Sequence, residues 1–363
     1  MNRNTLIVTA AAALTMIAGT ASGQTVRATP IGSTLNQLAN PGLLQLTTNN
    51  AQQQIEVIVG PLPGDVTVSG IPNLPNGGVY AGITSIRLTT GSAQDFVEFR
   101  FTSDVTPDVF VDTRGGNSDI KFTYEVPTSL AEMNTNVMVA GSTGNDVVTF
   151  NVESRVASFV SNWAVNQGAG NNETIVSFNS PEITDTLSMS LAQTSGNGAD
   201  KLEIGIVSGA ATLSTNISGT LGGNTDTANL FISSLVPTTG SSLYNFSLGT
   251  GNDSFSSEII APDSTFNVAG QVSGSDGFDT LVYKQEANGD TNLTLDGGNG
   301  NDLTDMFFKG LVTGAPKQLG GAGNDELKMF VDGPILCFPI LDGGAGIDKA
   351  SGFGTFISVE QIN

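Results

Sequence analysis

Residues 319–330 read LGGAGNDELKMF: a glycine-rich loop closed by Asn324 and Asp325, then a run in which Leu327 and Met329 alternate with Glu326 and Lys328. Gly, Asn and Asp are ordinary turn residues. Apolar side chains two apart mark a strand with one buried face. The phrase recurs at a fixed distance, because LDGGNGND ends at Asp302 and LDGGAGID at Asp348, each 23 residues away. Working backwards, GSDGFD ends at Asp279, LGTGND at Asp253, LGGNTD at Asp226 and SGNGAD at Asp200. GAGNN then ends at Asn172, GSTGND at Asp146, RGGNSD at Asp119 and TGSAQD at Asp95. From 95 to 348 the spacings are 24, 27, 26, 28, 26, 27, 26, 23, 23 and 23.

A repeat of this length changes how each loop is read. Two positions after the Asp stand Val97, Val148, Leu202, Phe255, Leu281 and Leu327. Four positions after it stand Phe99, Phe150, Val176, Ile204, Leu230, Tyr283, Met306 and Met329. Seven positions before it stand Leu88, Val139, Val165, Phe246, Val272, Leu295 and Leu341. Each turn therefore joins two strands with inward faces. Units of 23–28 residues are too short to carry a crossover helix between strands, and helix caps and 3.6-residue stripes are missing. A propeller or a row of sandwiches needs about 40 residues per unit. The pattern predicts an all-β, single-domain parallel β-helix of about eleven coils, covering residues 88–363. Residues 24–87 are less regular. IEVIVGPLPGDVTVSG (55–70) is expected to be a first, atypical coil and NQLANPGLLQL (36–46) a cap over the open end. GFGTFISVEQIN (352–363) reads as the last strands.

Stacking places equivalent residues above one another, so Asp279, Asp302, Asp325 and Asp348 are expected to form a ladder. Two carboxylates about 4.8 Å apart repel by roughly 3.5 kcal/mol at an effective dielectric near 20. Solvent, a shifted pKa or a cation must offset that. Calcium takes six to eight oxygens, carboxylate and carbonyl alike, and glycine lets a loop turn its carbonyls toward one point. GGAGNDELK (320–328) resembles the Gly-Gly-x-Gly-x-Asp-x-apolar-x nonapeptide of RTX, or haemolysin-type, calcium-binding repeats, and GGNGND (297–302) and GGAGID (343–348) share its core. The resemblance, confined to 274–350, implies calcium held between turns by Asp302, Asp325 and Asp348. It also implies carbonyl ligands from Gly297, Gly300, Gly320, Gly323, Gly343 and Gly346. The alternative is a ladder of Asn and Asp bonded to neighbouring backbone without metal. That reading is preferred for the degenerate loops from 95 to 253, and calcium for the last three.

Net charge is −21, with 13 basic and 34 acidic residues, which argues against nucleic acid and anionic lipid as partners. Residues 1–23 read as an export leader: Arg3, an apolar stretch from Leu6 to Ile17, then small residues Ala21, Ser22 and Gly23. The expected location is secreted, periplasmic or cell-surface, with no integral membrane segment after cleavage. Cys337, the sole cysteine, sits in PILCFPI and is expected in the core. There is no histidine, so the commonest general base is absent, and with it the Ser-His-Asp arrangement. The expected role is structural and non-catalytic, at a cell surface or in a matrix, with calcium and polysaccharide or cell-surface components as partners. A polysaccharide lyase or hydrolase is the alternative, with Arg87, Arg100, Arg114 and Lys121 near Asp104, Asp108 and Asp112. It requires a deep cleft lined by Arg87, Arg100 and Lys121. A glycan-binding adhesin is the third reading.

Overall fold

The computed structural model describes residues 42–362 apart from 49–50, 72–73 and 128, together with the short strands Ile7–Val8, Val26–Ala28 and Leu35–Asn36. The expected leader, residues 1–23, otherwise lies outside the described residues. The chain forms a parallel β-solenoid of about ten turns with a spacing of about 26 residues. Each coil supplies two strands, one on either side of the Asp-bearing turn. Strands that follow the turn, such as Val147–Val152, Glu173–Ser180 and Lys201–Ser208, pair in parallel with their equivalents in adjacent coils and make a front sheet. Strands that precede the turn, such as Val156–Gly168, Thr186–Ser195 and Thr212–Thr220, make a back sheet in the same way. In the C-terminal coils a short third column appears, where Val312–Gly314 pairs with Ile335–Cys337. Cys337 is buried there, and burial pushes its thiol pKa up.

The period-two pattern is the reason these segments are strands. Residues 201–208 alternate half-buried and buried, with Leu202, Ile204 and Ile206 inward. Inward residues of the two sheets share one core, and the register stacks like on like. Phe99, Phe122 and Phe150 occupy one column with ring centroids 5.1 and 4.9 Å apart, nearly parallel. Phe150 stacks in turn on Trp163 of the back sheet at 4.2 Å. The Trp163 Nε1–H donates to Thr135 Oγ1 at 2.9 Å, which meets the need of a buried indole for an acceptor.

At the N-terminal end the regular stack begins earlier than the glycine loops suggest. Leu43–Thr47 and Gln53–Val59 pair in parallel with Ser85–Thr90 and Asp95–Phe101, so residues 43–59 are a coil of the solenoid. The GLLQL part of 36–46 is thus a strand with Leu44 and Leu46 in the core. What departs from the solenoid is Val66–Ser69, which turns back antiparallel on Gln53–Val59 and pairs with Val79–Tyr80. One ladder position also differs from expectation. Ser118 pairs in register between Asp95 and Asp146, while Asp119 points outward and is exposed. The inward residues of that coil are Ile120 and Phe122, two and four after Ser118. Counted from Asp119 those positions would fall on Lys121 and Thr123.

Truncating the middle of the aromatic column, Phe122→Ala, should destabilise the protein by about 3–5 kcal/mol, the usual range for an aromatic removed from a packed core. Denaturant unfolding measures this. The outward Asp119→Ala should stay within about 0.5 kcal/mol, as surface changes do.

Candidate functional site

The glycine loop keeps the parallel ladder, with Gly298 paired to Gly321 and Gly321 to Gly344, but the backbone donors of the last two turn residues leave it and must find partners elsewhere. Two side chains per coil supply them. The Ser118 N–H donates to Asp146 Oδ1 at 2.9 Å, Asp146 to Asn172 Oδ1, and Asn172 to Asp200 Oδ1. The series continues through Asp226, Asp253, Asp279, Asp302, Asp325 and Asp348, at 2.7–2.8 Å in each case. It ends when the Asp348 N–H donates to Glu360 Oε2 at 2.8 Å. Asp95 accepts the Gln53 N–H in the same manner one coil nearer the N-terminus.

The residue just before the Asp works in the opposite direction. The N–H groups of Asn145 and Asn171 donate to Asn117 Oδ1 and Asn145 Oδ1, both at 2.9 Å. Those of Asn324 and Ile347 donate to Asn301 Oδ1 and Asn324 Oδ1, at 2.7 and 2.9 Å. An Asn-Asp pair therefore clamps its coil to both neighbours, Asn to the coil after and Asp to the coil before. The first glycine of the loop is required for space. A Cβ on Gly297 would lie 2.6 Å from Asp302 Oδ2 and 2.7 Å from Gly320 O, and one on Gly320 would lie 2.5 Å from both Asp325 Oδ2 and Gly343 O. The second and third, Gly298 and Gly300, have φ of 104° and 150°, values an L side chain rarely adopts.

Asp279, Asp302, Asp325 and Asp348 are brought into one column, each at most 3% exposed. The carbonyls of Gly297, Gly320 and Gly343 point back toward the preceding coil, and those of Gly300 and Gly323 point forward toward the next. Gly346 adopts the same positive φ, 156°. The strict C-terminal loops and the degenerate earlier ones share one geometry. In all of them Oδ1 takes a backbone N–H from the neighbouring coil, as the metal-free reading requires.

The other oxygen is different. Oδ2 of Asp95, Asp200, Asp226, Asp253, Asp279, Asp302, Asp325 and Asp348 is buried without a hydrogen-bond partner. Asn172 shows what it faces. There the same branch of the side chain is an amide, and its Nδ2 donates to Gly168 O at 3.2 Å and Gly170 O at 3.0 Å. A carboxylate in that place meets acceptors where it has nothing to donate. Burial accordingly pushes the Asp226 and Asp279 pKa values up to about 7, with neighbouring ladder carboxylates adding to the rise. It pushes Asp200 and Asp325 up to about 6 and raises Asp146, Asp253 and Asp302 as well.

The donor set is entirely oxygen, as a hard cation wants. Each rung offers one free carboxylate oxygen, since Oδ1 is already bonded. Among the described residues no three His, Cys, Asp or Glu side chains converge as a metal site, so the remaining ligands would be loop carbonyls and water.

The residues considered for lyase chemistry are split between the two sheets, Arg100 and Lys121 on the front and Arg87, Asp108 and Asp112 on the back. Arg100 pairs with Glu125 at 3.0 Å and Glu56 at 3.7 Å on the front sheet, and Lys121 pairs with Glu98 at 3.2 Å. Arg87 lies on the outer side of the back sheet, 4.7 Å above the Phe110 ring. A shallow open depression of about 510 Å³ beside Gln54, Glu56, Phe96, Glu98 and Lys121 replaces the required cleft. The chain matches no known family model, no curated protein and no solved structure.

Because these folded-state pKa values lie above the ordinary carboxylate value of 3.8, the metal-free fold is favoured by protonation. Its stability should be greatest near pH 4 and fall as pH rises to about 7, as thermal melts of metal-free protein would show. Asp226→Asn and Asp279→Asn, which copy Asn172, should flatten that slope and raise stability at pH 7. A slope that rises with pH would contradict the assignment.

Proposed function

We propose that this is an exported, non-catalytic β-solenoid of structural character, at a cell surface or in an extracellular matrix, whose turn ladder takes calcium at its C-terminal coils. The observation that carries the cation is the column of buried Oδ2 atoms with carbonyls opposite them and no donor between. The stacking elsewhere in the molecule supports it. On the front sheet the same in-register pairing sets Glu98 beside Lys121, Glu173 beside Lys201 and Glu286 beside Lys309, alternating sign from coil to coil. The turn column does the reverse, stacking seven aspartates from Asp200 to Asp348 without an interruption. Such a column demands neutralisation, by protons at low pH or by a divalent ion at neutral pH.

In this reading Asp302, Asp325 and Asp348 supply the free carboxylate oxygens and Asp279 continues the column. Carbonyls of Gly297, Gly300, Gly320, Gly323, Gly343 and Gly346 complete the shell with water. Calcium would supply positive charge to the turns and couple its binding to the docking of successive coils. The charged side chains of the front sheet are consumed in ion pairs with one another, which favours a scaffold over an enzyme.

Thermal melting at pH 7 with calcium and with chelator tests the proposal. Calcium should raise the melting temperature and offset the part of the loss above pH 4 that the C-terminal rungs contribute. The triple substitution Asp302→Asn, Asp325→Asn, Asp348→Asn should abolish that increment and leave the metal-free fold at least as stable. Identical melting in both conditions, with no calcium retained after dialysis, would refute calcium binding and leave the ladder as backbone-bonded turns without metal.

A further inference from the structure

The outer side of the back sheet carries an array of a different kind. Across the strands Val156–Gly168, Thr186–Ser195, Thr212–Thr220, Thr239–Ser247 and the second half of Ser254–Asp276, five outward positions recur in register. One row runs Ser158, Thr186, Thr212, Thr239, Thr265, and another Asn166, Thr194, Thr220, Ser247, Ser273. Of the 25 positions, 20 are Ser, Thr, Asn or Gln, five are Val, Ala or Leu, and none is charged. The front sheet of the same coils carries Glu173, Lys201, Glu203 and Glu258 outward. The coils on either side of the array carry Glu132 and then Asp290 and Asp296 on the back face. In a chain of net charge −21, an uncharged field of this extent is set apart from the front sheet and from the coils before and after it.

We infer that this face docks an uncharged, hydrogen-bonding, extended surface, namely that of an insoluble neutral polysaccharide. Charge decides the class. An ionic polymer or a membrane headgroup would meet no counter-charge here, whereas hydroxyls and amides present donors and acceptors alike. Geometry decides the form. Strands about 4.8 Å apart, with outward positions about 6.6 Å apart along each strand, make a regular plane of roughly 500 Å². None of the 25 positions carries an aromatic ring on which one sugar could stack. A hydrogen bond exchanged with water contributes little on its own. Binding must therefore come from many rows engaging a partner that is itself repetitive and fixed. The inference is independent of the cation in the turns.

Co-sedimentation of the full chain with microcrystalline cellulose, chitin and an insoluble β-glucan tests it. Retention on at least one should persist at high salt, because no ion pair is involved, and free monosaccharide should not compete. The double variant Ser188→Lys, Asn245→Lys should lose at least tenfold in retention. The control Asn229→Lys, Ser256→Lys, with the same charges on the front sheet, should bind as the parent does, and melting curves should show both variants folded. No retention on any of the three, or equal loss in the control, overturns the proposal. So does self-association that the Ser188/Asn245 variant abolishes while polysaccharide retention is unchanged, which would give the face to a second copy of the chain.

Discussion

The structure hangs on one hydrogen bond repeated at every turn: a backbone N–H of one coil donated to the Asp Oδ1 of the next. In the sheets, coils are joined by their own peptide groups. The glycine loops keep that ladder, but the Asn and Asp N–H groups that close each turn leave it, and a buried one without a partner would cost about 1–3 kcal/mol. The Asn-Asp pair supplies acceptors in both directions, with Asn324 reaching the Ile347 N–H and Asp325 the Asp302 N–H. This device demands the glycines around it, since Oδ2 and the next coil's carbonyl occupy the space a Cβ on Gly320 would need. It also demands a constant register, because a slip of one residue would send the inward row outward. Turn chemistry and core packing are thus a single constraint.

The fold was legible because that constraint is written twice in every repeat, as a glycine loop and as inward residues two and four positions later. Where the two signals agree, the strands at Val147–Val152 or Lys201–Ser208 follow directly. Where they disagree, the inward row is the better guide. At RGGNSD the eye takes Asp119 as the rung, but Ile120 and Phe122 place Ser118 there, as the structure does. A packed phenylalanine column fixes the register more firmly than a turn residue. The first coil, 43–59, has no glycine loop of the common type and shows itself only through pairing. Glu360, which ends the ladder at Asp348, belongs to no repeat and carried no signal.

The candidate site was legible in its positions and not in its bonding. Spacing aligned Asp302, Asp325 and Asp348, but spacing cannot say which carboxylate oxygen is engaged. The structure divides the two oxygens, Oδ1 to the neighbouring backbone and Oδ2 to a partnerless pocket, so an engaged oxygen and an unengaged one coexist in one side chain. Asn172 is the informative exception. An amide at that rung satisfies both halves of the site without charge, which shows that the solenoid itself requires only the acceptor at Oδ1. Aspartate at the other rungs therefore adds something the fold could do without.

Stacking with fixed register imposes the same problem on every surface column: each side chain meets its own kind 23–28 residues away. The molecule answers it three ways. On the front sheet opposite charges alternate, as where Lys201 lies 2.9 Å from Glu173 and 2.8 Å from Glu203. On the back sheet charge is left out over five coils and hydroxyls and amides take its place. Only in the turns are like charges stacked and buried together. Alternation and omission both avoid the repulsion that a column of seven aspartates builds up. The column makes physical sense where its charge is met, and the all-oxygen surroundings restrict what can meet it to protons and hard cations.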